Sequence, residues 1–252
     1  MRSCTNRHDT AIASALPVGI TSSLGVSNMR RILSVLFCLG MASTSLLADT
    51  AAERLGQSAT ILKEVLAAPD KGIPEDLLRK AHCVVVVPGV KQGAFIVGAK
   101  YGRGFLVCRT ADGSWGAPGA LRIEGGSVGF QIGGSETDVI MLVMDERSMK
   151  GILSSKFTLG GAADVAAGPV GRSSTAQTDA TMNAKILSYS RSRGVFAGVA
   201  LTGASLRQDL DQNTEMYGTP IPNDAVVSTN PKPPAGATEL LAVLGKYPAA
   251  GK

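Results

Sequence analysis

Between residues 50 and 68 the apolar side chains Leu55, Ala59, Leu62 and Leu66 recur at intervals of four, three and four, with Ile61 and Val65 widening the stripe. That is the period of an amphipathic helix. Thr50 followed by Glu53 forms a capping-box pattern at its start, while Arg54, Lys63 and Glu64 fall off the stripe. Pro69 to Gly72 break the helix, and Pro74-Glu75-Asp76 opens a shorter one ending in Arg79-Lys80. From Cys83 the pattern changes to β-branched and alternating runs at 83–88, 93–100 and 104–109, separated by short glycine turns. These predict an antiparallel meander. Further strands are expected at 121–123, 127–132, 139–144, 157–159, 163–167, 184–189 and 194–201. Asp145 is placed to cap a helix ending at Leu153, and a proline-rich linker, Asn230 to Pro234, leads to a short helix at 237–244.

The fold class that follows is α+β. Amino-terminal amphipathic helices pack on a glycine-rich, mainly antiparallel, curled sheet of barrel or sandwich type, with a short carboxy-terminal helix. Composition agrees: 30 of 252 residues are glycine and 44% are hydrophobic, against 18% charged, which excludes a disordered chain. A helical bundle is excluded as well, because each interior glycine costs a helix roughly 1 kcal/mol relative to alanine.

Ahead of the domain stands a leader. Residues 1–28 match no element and read as a disordered or mis-assigned extension, with Met29 as the expected true start. Met29-Arg30-Arg31, the apolar run from Ile32 and the small residues ending at Ala48 then describe a signal peptide over 29–48. The domain is accordingly expected over 49–246, exported to the periplasm or cell envelope and peripheral to a membrane. Residues 1–48 carry a net charge of +3, so most of the chain's +5 belongs to the leader and no nucleic-acid partner is indicated.

Two cysteines remain after the leader, Cys83 and Cys108. Their number and an oxidising compartment suggest a disulfide. The meander argues against it, setting them two strands apart unless the sheet curls sharply. Catalytic chemistry is not legible. His82 is the only histidine beyond the leader and reads as a partly buried structural residue. No zinc-type spacing or nucleophile elbow is present, and no cofactor or metal is expected. Gly168-Pro-Val-Gly171-Arg172 lacks the lysine of a phosphate loop. Asp209-x-Asp211-x-Asn213-x-Glu215 opens like a calcium loop but reaches Pro220 where a glutamate is needed.

Taken together, several segments resemble the SYLF domain. They include Ile73-Pro-x-x-Leu-Leu-x-Lys-Ala81, Gly93-Ala-Phe-Ile-Val-Gly98 with Tyr101-Gly-x-Gly104, Trp115-x-Ala-Pro118 and Gly126-x-x-Gly-Phe-Gln-Ile-Gly133. Asp138 to Val143, Leu159-Gly-Gly161, Ala167 to Arg172, Tyr189 to Gly198 and Tyr217-Gly218 continue the likeness across about 51–245. The resemblance implies a non-enzymatic lipid-binding module, with fungal members also described as actin-binding. It further implies a membrane role for the amino-terminal helix, although that helix carries only Arg54 and Lys63 as bases. The expected partner is an anionic lipid or membrane surface. In the meander Arg79, Lys80, Lys100 and Arg103 converge on one edge, with Lys91 and Arg109 at the other, and with Arg54 and Lys63 they form the candidate lipid-binding set. The alternative is a protein-interaction scaffold, favoured if the helix proves fully buried. An enzyme of unknown chemistry ranks behind both.

Overall fold

Helix α1, Ala51–Ala67, begins where the capping box places it: Thr50 Oγ1 accepts from the Glu53 amide, and Glu53 Oε2 accepts from the Thr50 amide at 2.8 Å. The computed structural model describes residues 49–249 apart from 69–71, 95–96, 129–132, 161–163, 172–183, 193–194, 200 and 202. The leader readings over 1–28 and 29–48 lie outside the described residues. A short α2, Glu75–Lys80, follows, with acids in its first turn and bases in its last.

The sheet departs from the expected meander. Strands β1, Cys83–Ala94, and β2, Val97–Cys108, form one long hairpin instead of three short strands. β3, Gly119–Val128, pairs with β2, and β4, Gly133–Val143, pairs with β1. The spatial order β3-β2-β1-β4 is a Greek key. Glycines read as turns are in-strand positions of close approach: a Cβ on Gly102 would lie 2.9 Å from Val90 Cγ2, and one on Gly104 would strike the Val86 carbonyl. Gly89, at φ +55°, lies where the register between β1 and both neighbours shifts, a bulge that glycine alone adopts without strain.

Asp145 caps α3, Glu146–Leu153, as expected. Then come β5, Lys156–Thr158, β6, Val165–Ala167, β7, Ile186–Ser192, β8, Val195–Gly198, and β9, Ser205–Gln208. Helices α4, Leu210–Tyr217, α5, Asn223–Thr229, and α6, Thr238–Gly245, complete the chain. The sequence pattern had not indicated β9, α4 or α5. The calcium-like rhythm from Asp209 is a helix start, in which the Asp209 side chain accepts from the Gln212 amide.

The sheet order is β5-β9-β3-β2-β1-β4-β7-β6, with β8 also on β7; only β6–β7 is parallel among the described pairs. Six residues, 159–164, join opposite ends of this order. They reach at most ~25 Å, whereas eight strands laid flat would span ~34 Å. The sheet must therefore curl, as expected. Leu159 and Val165 from its two ends meet Ile152 of α3 in one apolar cluster with Val85, Leu106 and Met141. On the opposite face Val84, Val86, Phe105, Ile140 and Leu142 pack beneath Leu55 and Leu62 of α1 and Leu240 and Leu244 of α6. Among the described residues no helix is long and apolar enough to cross a membrane.

The same register settles the cysteines. Cys83 and Cys108 stand directly opposite each other on β1 and β2, with Cα atoms 4.0 Å apart, and form a disulfide. The separation inferred from a meander fails because the hairpin is one strand pair, not three strands.

Candidate functional site

The candidate bases do not converge. Lys63 is exposed on α1, whereas Arg54, one face away, donates from Nη2 to the Asp49 carbonyl at 3.1 Å. Arg79 and Lys80 end α2, beside the start of β1. Lys100 pairs with Gln92, nine residues further along β1 than Cys83, about 30 Å of strand away. Partial burial pulls the Lys100 ammonium down from its ordinary range. Arg103 lies between these ends on β2. The shared basic edge inferred from a meander is therefore absent, for the same reason that the cysteines meet.

Arg109, assigned to the far end, instead joins Arg79. Its Nε donates to the Ala81 carbonyl, Nη1 to Gly113, and Nη2 to Leu78 at 3.2 Å and to Tyr247 at 3.0 Å. The guanidinium also lies 3.9 Å above the Trp115 ring. It caps the carbonyl end of α2 and ties down the chain's last turn, and burial and then the charge of Arg79 lower its pKa. This is structural work. His82 is exposed rather than partly buried; its backbone bonds to Val143 and Arg109 hold it in place.

Helix α1 is committed to the core. Ala51, Leu55, Ala59, Ile61, Leu62 and Val65 are all buried. Its ends are tied as well: the Ala51 amide donates to Glu215 at 2.8 Å, and Glu64 pairs with Arg191, which also holds Asp138 at 2.8 Å. Its outward residues include Glu53, Lys63 and Glu64, so the helix offers no surplus of positive charge. At its amino end lies a shallow cleft of about 160 Å³ between Leu55, Met216 and Pro234, smaller than a typical small-molecule site. No group of three metal-ligating side chains occurs among the described residues.

Register assembles a different array, which linear sequence does not display. Arg103 of β2 stands opposite Arg122 of β3, Arg122 opposite Arg207 of β9, and Arg207 opposite Lys156 of β5. Directly paired residues share a face, so four bases line up across four strands at ~4.8 Å intervals. Nε of Arg103 and of Arg122 makes a hydrogen bond, whereas that of Arg207 is buried with no hydrogen-bond partner among the described residues and meets an acid only through an ion contact. Arg122 Nε donates to Glu124 at 2.6 Å, and Arg207 Nε makes an ion contact of 3.5 Å with the same carboxylate. Arg103 Nε donates to Tyr101 at 3.0 Å and lies 3.0 Å from the wholly buried carboxylate of Asp209. Burial opposes the Arg103 charge, but Tyr101 and Asp209 outweigh it and raise its pKa. The terminal nitrogens of all three arginines make no hydrogen bond within the described residues. Their side chains are 28–40% exposed, and Tyr101 beside them is 45% exposed.

Comparison with known proteins matches residues 124–247 to the family described as Ysc84, Las17-binding protein actin regulator. The chain is 33% identical over 180 residues to SH3 domain-containing YSC84-like protein 1 of Homo sapiens, covering 71% of this chain and 52% of that one. It is 32% identical over 178 residues to LAS seventeen-binding protein 3 of Saccharomyces cerevisiae, covering 69% and 39%. The namesake from Xenopus laevis is 35% identical over 168 residues, covering 64% and 50%. The chain thus spans between 39% and 52% of these relatives' lengths.

Proposed function

Because this chain belongs to the SYLF family, whose yeast relative is named for binding LAS seventeen, we propose that it is a non-enzymatic binding module that serves as a protein-interaction scaffold. One observation carries the choice over a membrane-inserting module: the apolar stripe of α1 is buried against the sheet and α6 at Leu55, Ala59, Ile61, Leu62 and Val65, with Leu66 partly covered at its end. Inserting it into a bilayer would expose the core it covers. Burying a leucine side chain is worth about 2 kcal/mol, and α1 contributes Leu55, Leu62, Ile61 and Val65 together. The lipid-surface role assigned to Arg54, Lys63, Arg79, Lys80, Lys100 and Arg103 loses support, since these residues are dispersed or engaged. Export to an oxidising envelope compartment belongs to the same proposal; the leader pattern of 29–48 and the Cys83–Cys108 disulfide support it.

Vesicle co-sedimentation with a locked variant tests the reading. A Cβ on Gly236 would lie 2.9 Å from Ala52 Cα and 3.1 Å from its Cβ, closer than the ~3.8 Å usual in a disulfide, so the pair Ala52→Cys and Gly236→Cys can pin α1 to the turn before α6 once that turn gives by about half an ångström. The scaffold reading expects the unlocked protein and the oxidised, locked variant to behave alike with neutral and anionic vesicles. Salt-insensitive sedimentation that the lock abolishes would restore the inserting helix.

A further inference from the structure

We propose that the row Arg103, Arg122, Arg207 and Lys156 is the docking face of this scaffold, and that its partner is an acidic segment of another protein. This inference rests on the scaffold reading and names the partner's chemistry. Like charges placed directly opposite on neighbouring strands destabilise a sheet, and here three successive cross-strand pairs are cationic. Glu124 and Asp209 offset part of the repulsion but leave the row net positive. The fold has no need of the surplus: the apolar clusters lie further along these strands, at Phe105 and Ala120 on the same face and Leu206 on the other.

The anchoring favours carboxylate recognition over a diffuse positive field. Nε of Arg103 and of Arg122 is hydrogen-bonded from within and that of Arg207 faces Glu124 at 3.5 Å, so the guanidinium planes are oriented and their Nη pairs are presented outward as forks. A fixed fork accepts a carboxylate through two parallel hydrogen bonds. Three of the four bases are arginine, and an exposed Tyr101 borders them; both residue types are enriched at protein interfaces. A bilayer surface would more simply be met by lysines without acids among them, and Glu124 in the middle of the row would repel anionic headgroups. The row's ~4.8 Å interval also lies close to the 5.4 Å pitch of a helix, so acids one turn apart on a helix crossing the strands can each reach one base.

The test uses a helical peptide with glutamates at every fourth position on one face, titrated against the whole chain by fluorescence anisotropy. The triple variant Arg122→Gln, Arg207→Gln, Lys156→Gln is compared by the same titration. Arg103 is left intact because it neutralises buried Asp209. The triple variant should lose about tenfold or more in affinity, with a melting temperature no lower than that of wild type, because cross-strand repulsion is relieved. Arg207→Gln alone disturbs the fold least and should show a smaller loss in the same direction. Glu124→Ala separates orientation from charge: it removes the oxygens that face Arg122 and Arg207 and makes the face more positive, yet oriented forks predict weaker binding. Failure of the wild-type chain to bind the peptide overturns the proposal, as does a triple variant that binds as well as wild type or tighter binding by the Glu124 variant. Phosphatidylglycerol vesicles run alongside; salt-sensitive vesicle binding lost in the triple variant, without peptide binding, would assign the row to a membrane instead. None of these results depends on the α1 lock, so the face and the scaffold reading can fail separately.

Discussion

Tyr189 shows how tightly single positions are specified. Its ring is buried, stacks on Phe196 with centroids 5.3 Å apart, and lies beneath the backbone of Gly168. A Cβ on Gly168 would fall inside that ring, against Cζ and Cε1, while the Gly168 amide is fixed by a 3.0 Å bond to the Ser188 carbonyl. The methyl of Gly168→Ala therefore has nowhere to go. Overpacking of this kind costs about 3 kcal/mol, and a clear fall in melting temperature should follow. The Tyr189 hydroxyl presents the opposite case, being buried without a partner among the described residues, and burial pushes its pKa upward. Tyr189→Phe removes a desolvated group that returns no hydrogen bond, so the variant should be as stable as wild type or up to about 1 kcal/mol more so, with a melting temperature no lower. A large loss in that variant would mean that the hydroxyl is satisfied after all.

At the scale of elements, the hydrophobic period located α1, α3 and most strands, because each buries one face and carries a local cap or break. Thr50, Glu53 and Asp145 act where their spacing indicated. What the chain did not display was register. Gly102 and Gly104 read as turns because a glycine that admits a neighbouring backbone looks, in sequence, like one that reverses the chain. From that one misreading followed the false basic edge and the separated cysteines. Helix α4 was missed because its buried positions include the polar Gln212 and Asn213, the latter bonded to the Ala120 amide at 2.7 Å, leaving no apolar stripe to detect. The basic row was illegible for the same reason, since Arg103, Arg122, Lys156 and Arg207 meet only through strand pairing.

Arg109 belongs to this scale because it joins elements. It links α2, the turn through Gly113 and the carbonyl of Tyr247, to which the Trp115 indole also donates. Arg109→Ala strands several carbonyls and uncovers the indole, and should cost on the order of 3 kcal/mol. Arg109→Lys supplies a charge but not a fork, so it should recover only part of that loss. Fluorescence reports the site directly, Trp115 being the only tryptophan. Its emission should shift in the alanine variant, and an unshifted spectrum with wild-type stability would remove Arg109 from this role.

For the whole molecule, the decisive constraint is how a sheet with both faces buried is held at its centre. β1 and β2 occupy the middle of the strand order, and the Cys83–Cys108 bond fixes their register where the hairpin meets the core. A bridge between residues 25 apart restricts the unfolded chain by about 3 kcal/mol on the loop-entropy account. In a domain of this size that corresponds to a melting shift of roughly 10 °C. Both cysteines are essentially inaccessible, at 0% and 2% exposure, so reductant should act slowly on the folded protein and quickly once urea opens it. The expected sequence is therefore a delayed loss of the disulfide under native conditions, then a lowered midpoint in the fully reduced protein. The urea slope should rise as well, because the released hairpin lets the unfolded state expand. Thiol titration of the Cys4→Ser, Cys38→Ser variant, purified without reductant so that only Cys83 and Cys108 can report, supplies the deciding control. Two titratable thiols after denaturation would remove both the bridge and the support it lends to an oxidising compartment; none would leave the hairpin as the covalent centre around which the sheet curls.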